Sequence, residues 1–373
     1  MISKYRVITH RHGCFQLLLG YLLWLLFLPY ALADTNLGLP QLPIPSNNQQ
    51  TIEKISLGQR LFNDRRFSAD GSISCASCHQ PEKAFTDGLV VAAGLHSQQG
   101  PRNTPTLINA AFYETLFLDG RAESLEEQAS GPLVNPKEHG LASLQSLIDI
   151  VQHDATYPAQ FKRAFTIAAN DITSKHITQA IASYERTLIA GNSPFDRYLF
   201  GRNHNELSAS AERGLALFKD KGHCVTCHEI SWNNALFTDN RFYNIGVGFK
   251  HLAPVLERFI RFVNQGKNPD DFSLTEQQRG ELGRYNVTKD LTDVGKFKTP
   301  TLRNIALTAP YMHDGRMKTL TEVIEHYDKG GDPEQNSNNR FIDTKIFPLH
   351  LTQQEKTDLL AFMQALTSPY YLR

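Results

Sequence analysis

The apolar positions of this chain recur mostly at helical intervals. Ile52, Ile55, Leu57 and Leu61 fall on one broad face between Ile52 and Phe62, which predicts an amphipathic helix. Ser208 stands before a second such stretch that runs to Lys219, with Glu212 in its first turn. A short side-chain oxygen followed by an early acid predicts a helix start there. Ile172 to Ile189 and Gln353 to Leu366 keep the same period and predict two more helices. Strand-like alternation is scarce. Asn233 to Asp293 is the least legible part, and the polar run Asn264 to Gln278 reads as a surface loop. The expected fold class is mainly α.

The longest apolar run, Phe15 to Leu28, follows a leader carrying Lys4, Arg6 and Arg11 and precedes Ala31-Leu32-Ala33, a small-x-small cleavage site. As an anchor this run is shorter than the roughly 20 residues that span a bilayer. Residues 1–33 therefore read as a cleaved secretory signal, giving a periplasmic protein with no stable membrane anchor. Cleavage removes Cys14 and leaves 35 basic against 38 acidic residues. That balance argues against a nucleic-acid or anionic-membrane partner. The remaining ~340 residues suffice for two domains.

The four cysteines left form two motifs, Cys75-Ala76-Ser77-Cys78-His79 and Cys224-Val225-Thr226-Cys227-His228. This is the attachment signature of c-type haem. Two thiols add to the two haem vinyl groups, and the adjoining imidazole reaches the iron. Paired cysteines also suit zinc, but zinc needs no histidine after each pair, and a spacing of 149 residues is far too long for a zinc ribbon. Two covalent haems c are expected, with His79 and His228 as iron ligands. Export agrees with this, because c-type haem is attached outside the bacterial cytoplasm.

An internal duplication organises the rest. Thr104-Pro105-Thr106-Leu107-Ile108-Asn109 returns as Thr299-Pro300-Thr301-Leu302-Arg303-Asn304, Asp119-Gly120-Arg121 as Asp314-Gly315-Arg316, and Leu125 as Leu320, all with an offset of 195. Gly58, Leu61 and Phe62 before the first motif echo Gly214, Leu217 and Phe218 before the second. The second half thus carries 46 extra residues (195 less 149) between its haem motif and its Thr-Pro segment. Two tandem cytochrome c-like domains are expected, residues 34–200 and 201–373, related by duplication. With no gap in register, Tyr327 falls on Pro132. Proline cannot ligate. A phenolic oxygen would close the second iron and leave the first open to a small molecule, an arrangement for a redox enzyme rather than an electron wire.

The chain resembles the bacterial dihaem cytochrome c peroxidases and, within that superfamily, the MauG proteins. The resemblance lies in the two haem motifs, Phe117-Leu118-Asp119-Gly120-Arg121, Glu127-Gln128-Ala129-Ser130-Gly131-Pro132, Asn135-Pro136-Lys137-Glu138, Phe297 to Asn304 and Thr308 to Gly315. It implies that the N-terminal haem reacts with hydrogen peroxide, with Gln128 and Glu138 lining its distal pocket as catalytic residues. A carboxylate there can move a proton between the peroxide oxygens while an amide orients them. It implies a ligand to the second iron fourteen residues after His313, where typical peroxidases have methionine and MauG-like proteins tyrosine; here it is Tyr327. Met312, Met317, His313 and His326 are rival ligands. A calcium ion at Asn103, Thr308 and Pro310 is implied too.

The implied partner is a protein: the methylamine dehydrogenase precursor, whose tryptophans become its quinone cofactor, if the chain is a true MauG, and otherwise a small cytochrome c or cupredoxin that feeds peroxide reduction. Two features depart from the family pattern. Leu118 stands where relatives place a tryptophan between the haems, and Lys221-Gly222-His223 where MauG has a surface tryptophan. Tyr311, Tyr243 and Trp232 are the aromatic alternatives for electron hopping. His96 lies where peroxidases often have a histidine that closes the first haem. Its loop is one residue shorter, so it reads as a loop histidine.

Overall fold

The computed structural model describes residues 36–336 and 338–371, so the expected secretory leader lies outside them. The helices that frame the sites are α1 (Ile52–Phe62), α2 (Leu125–Val134), α3 (Ser174–Glu185), α4 (Ala209–Lys219), α5 (Phe249–Asn264), α6 (Leu320–Asp328) and α7 (Gln353–Gln364). Most begin at a side chain that takes up an orphan amide. Thr51 accepts from Lys54, Ser124 from Glu127, Ser208 from Ala211, Thr319 from Glu322 and Thr352 from Glu355. The only strands described are Phe242–Tyr243 and Phe297–Lys298, paired antiparallel. The fold is mainly helical, as expected from the pattern, although α3 and α7 are shorter than the periodicity suggested.

Each domain is built on one crossing. α1 packs on α3 through Leu57, Leu61, Phe62, Ile177 and Ile181; α4 packs on α7 through Leu215, Phe218, Leu359 and Phe362. At both crossings a glycine lets the backbones touch. A Cβ on Gly58 would lie 1.8 Å from the Ala180 carbonyl oxygen, and one on Gly214 would lie 2.0 Å from that of Asp358.

The duplication is also present in the backbone. Asn109 and Asn304, Phe117 and Met312, and Gly120 and Gly315 are all left-handed, and each pair is 195 residues apart. The bridge Leu116–Ala122 matches Tyr311–Met317 at the same offset. A buried strap ties the N-terminal segment to the second domain: Arg303 bonds Asp196 through two contacts of 2.8 Å, the Gly38 carbonyl at 2.6 Å and the Ala235 carbonyl at 2.6 Å.

The 46-residue excess corrects one expectation. Asn264 to Gln278 is not a single surface loop. Asn264 ends α5, Pro269–Asp271 makes one 3-10 turn, and a short helix Glu276–Glu281 starts within the stretch. The reason is a reciprocal cap, in which Thr275 and Gln278 each bond the other's backbone amide. α5 supplies Leu252, Leu256, Phe259 and Ile260 to a small core shared with Leu282, Tyr285 and Val294.

Gly58→Ala and Gly214→Ala are expected to force their helix pairs apart and to lower stability by about 3 kcal/mol each. Gly100→Ala, whose added Cβ meets nothing closer than 3.9 Å, should cost much less. Denaturant unfolding of the three variants checks the order.

Candidate functional site

Cys75–Cys78 forms a single helical turn that ends at His79, and Cys224–Thr226 makes the equivalent tighter turn. His79 Nδ1 lies 3.0 Å from the Phe85 carbonyl oxygen, and His228 Nδ1 lies 2.9 Å from that of Phe237. A carbonyl only accepts, so Nδ1 carries the proton in both rings and Nε2 keeps its lone pair for a metal. Both carbonyl-bearing residues are left-handed, with φ 58° at Phe85 and 54° at Phe237. Threonines of the repeated Thr-Pro-Thr segment hold those turns. Thr106 Oγ1 donates to the Ala84 carbonyl and Thr301 Oγ1 to the Leu236 carbonyl, both at 2.6 Å. Burial holds both imidazoles below the usual histidine range, so they stand neutral, as ligands must.

One continuous cavity of about 870 Å³ is lined by both motifs and both histidines. The cysteine pairs do not converge on one another. Among the described residues the only grouping of potential metal-binding side chains is Glu281, His313 and Asp314. That excludes a shared zinc site.

Gln128 and Pro132, from α2, and Glu138 line the first half of this cavity. Glu138 accepts a 2.7 Å hydrogen bond from Asn135 Nδ2. Burial raises its carboxyl above the ordinary value, and Arg121 and Asn135 only partly oppose this. The Leu95–Ser97 turn is pinned behind it: a Cβ on Gly94 would fall 2.1 Å from the Lys137 carbonyl oxygen. His96, on that turn, is exposed and lies 3.6 Å from Asp70. It does not line the cavity.

Tyr327 lines the second half. It sits seven residues into α6, as Pro132 does in α2, so the register is free of gaps. Burial pushes its phenol up, and Cys224 and Cys227 are close enough to add to the effect. Three of the four rival ligands are engaged elsewhere or lie off the cavity. His326 is tied by Nε2 to the Ile245 carbonyl at 3.0 Å. His313 Nε2 bonds Glu281 at 2.7 Å, and its ring stacks on Phe297. Met317 pairs its backbone with Tyr311 and does not reach the cavity. Met312 lines the cavity in a left-handed turn.

Leu118 lies on the boundary between the halves, its carbonyl accepting from Lys298 N at 2.8 Å. Beside it the Lys298 Nζ lies 3.7 Å from the centre of the Tyr113 ring, and burial lowers that amine to about 7. Tyr113 Oη accepts from Thr301 N across the same boundary. Tyr311 is buried, Tyr243 donates to Asp239 at 2.6 Å, and Trp232 is 91 % exposed.

Asn103, Thr308 and Pro310 line the cavity together. Asn103 Nδ2 donates to the Leu89 carbonyl at 2.7 Å, which leaves its Oδ1 as the acceptor. Among the described residues no donor reaches that oxygen or the Thr308 and Pro310 carbonyls. A set of neutral oxygens free of hydrogen bonds suits a hard cation such as calcium.

Glu185, His139 and Lys298 are among the lining residues that the sequence analysis did not single out. In the structure Ile181 to Leu188 is the counterpart of Leu359 to Leu366 at an offset of 178, a match that the residues mark by one identity, Leu188 with Leu366.

A family model described as di-haem cytochrome c peroxidase matches residues 52–204. The chain is 38 % identical over 337 residues to cytochrome-c peroxidase IdrP1 of Denitromonas iodatirespirans, covering 88 % of this chain and 85 % of that one. It is 35 % identical over 324 residues to the methylamine utilization protein MauG of Methylorubrum extorquens, covering 87 % and 81 %. Among solved structures, a MauG-like protein associated with microbial copper homeostasis superposes with TM-score 0.74 at 31 % identity, over 90 % of this chain and 95 % of that one.

Intact-protein mass spectrometry of material exported by a host that attaches c-type haem should show two covalent haems. The double variant Cys224→Ala/Cys227→Ala should show one. Two haems in that variant would contradict the assignment.

Proposed function

Because the chain belongs to the dihaem cytochrome c peroxidase family, we propose that it is a periplasmic enzyme with one open and one closed haem, which uses hydrogen peroxide to oxidise a partner protein as MauG does. The chain is an oxidoreductase with haem c at both Cys-x-x-Cys-His motifs. The observation that carries the finer reading is the equivalence of Pro132 and Tyr327 on a duplicated framework. We divide the chain into domains at 34–200 and 201–373 on the same basis.

When bound, the haems supply the redox chemistry; the residues around them supply geometry and protons. Gln128 would orient peroxide within the cavity that it lines with His79. Glu138, deprotonated, takes a proton from the near oxygen and returns it to the far one as the O–O bond breaks. Tyr327 would hold the second iron through a hard anionic oxygen, which would favour the oxidised metal where a thioether would favour the reduced one. Burial alone keeps the phenolic proton on Tyr327, so binding a metal there would require its release. Asn103, Thr308 and Pro310 would hold calcium. MauG relatives support a quinone-precursor protein, the methylamine dehydrogenase precursor, as substrate.

A second reading has its own support. Leu118 and Lys221-Gly222-His223 lack the aromatic stations of a long-range relay, and several relatives are named cytochrome c peroxidases. On that reading a small cytochrome or cupredoxin delivers electrons for peroxide detoxification. Steady-state turnover with such reduced donors separates the two. Rapid turnover favours detoxification; slow turnover with persistence of the two-electron-oxidised protein favours the MauG-like role.

Glu138→Gln should slow the reaction with peroxide by about 10²- to 10⁴-fold in stopped-flow mixing. Glu138 must be ionised to act, and its affinity for protons is raised. The wild-type rate should therefore climb with pH through a midpoint above the ordinary carboxylate value. Asn135→Leu removes a hydrogen bond that favours the charged form, so its rising limb should move to higher pH. Tyr327→Met should raise the midpoint potential of the second haem, as measured by redox titration.

A further inference from the structure

A second set of equivalent positions, 178 residues apart, relates the two halves of the cavity from another side. α3 and α7 cross their partner helices at matched points, Ala180 over Gly58 and Asp358 over Gly214. The Asn109 amide and side chain bond Leu188 and Ala190; the Asn304 amide and side chain bond Leu366 and Ser368 at the same offset. In this register Ile181 faces Leu359 and Glu185 faces Met363, and all four line the cavity. One half of the cavity therefore carries a carboxyl where the other carries a thioether.

Glu185 is 4 % exposed, and its Oε2 is buried without a hydrogen-bond partner. Nothing in the fold requires a carboxyl there, since methionine fills the equivalent place. An ionised carboxylate in an apolar wall is unfavourable, and the group escapes that by keeping its proton. Burial pushes Glu185 up to about 8. The charges around it do not reverse this. Arg186, the next residue, favours ionisation but is held at 2.8 Å by Glu126 of α2, which opposes it. Lys54 of α1 faces that same pair. On the cavity side, Glu185 and Glu138 both bear on Cys75, the attachment point of the first haem.

We propose that Glu185 is the redox-linked proton carrier of the first haem, a buried carboxyl whose proton leaves when that haem gives up an electron and returns when the electron is regained. When that one electron is withdrawn, the O–H bond of Glu185 breaks, and the carboxylate left behind offsets the positive charge gained at the haem. The proton passes into the cavity shared with Glu138. On the reading above, this electron and proton are one each of the two electrons and two protons that peroxide takes to become two waters. The proton linkage itself does not depend on that reading.

Redox titration of the haem-loaded protein from pH 6 to pH 9, with each haem followed by EPR, tests this without peroxide. In the wild type the first-haem midpoint should fall as pH rises between 7 and 9, more steeply than that of the second haem. Glu185→Gln, which mimics the protonated acid in shape, should flatten the slope of the first haem alone, and Glu185→Asp should restore it. If Glu185→Gln does not retain haem, Glu185→Met, copying the second site, is read in the same way. An undiminished slope in the neutral variant, or equal slopes at both wild-type haems, would overturn the proposal. Because peroxide is absent, neither result bears on whether the enzyme follows the MauG-like course.

Discussion

The structure depends on a backbone carbonyl aimed at an imidazole, twice. Phe85 and Phe237 each adopt a left-handed conformation that costs a non-glycine residue roughly 1–2 kcal/mol. In return, each presents its oxygen to Nδ1 of the haem-motif histidine. That contact fixes the tautomer and turns Nε2 toward the cavity. The surrounding framework serves the same end: the Thr-Pro-Thr segments lock the turns, and the glycine-mediated crossings of α1 on α3 and α4 on α7 close each pocket from behind.

On this doubled framework the functional differences come down to a few side chains. Pro132 stands against Tyr327, and only the second of these carries a side chain able to ligate. Glu185 stands against Met363, and only the first of these can hold a proton. Leu118 against His313 decides what lies at the boundary, where His313 is drawn into a buried pair with Glu281 and stacked on Phe297. Duplication supplies two equal sites, and substitution at matched positions makes them unequal without changing the backbone that holds them.

Much of this was legible in the residues. Thioether attachment demands cysteine at fixed spacing, so the haem motifs could be read directly, and the 195-residue repeat placed Tyr327 opposite Pro132 before any coordinates. The carbonyls of Phe85 and Phe237 could not be read, because every residue offers a carbonyl and only backbone conformation selects one. Glu281 was illegible for another reason. It reaches His313 from within the 46-residue excess, a contact set by the packing of α5 rather than by any local pattern. Glu185 was missed because its stretch shares only Leu188 with its counterpart, and the paired residues, a carboxyl and a thioether, differ in the very property that matters.

On the proposed function the two irons differ in their sixth positions, one free of protein ligands and one closed by a phenolate. A crystal structure of the oxidised, haem-loaded protein measures this directly. The expected result is the Tyr327 oxygen bonded to the iron held by His228, and no side chain of this chain bonded to the iron held by His79. A Tyr327 oxygen remote from its iron, or a side chain ligating the iron opposite His79, would contradict it.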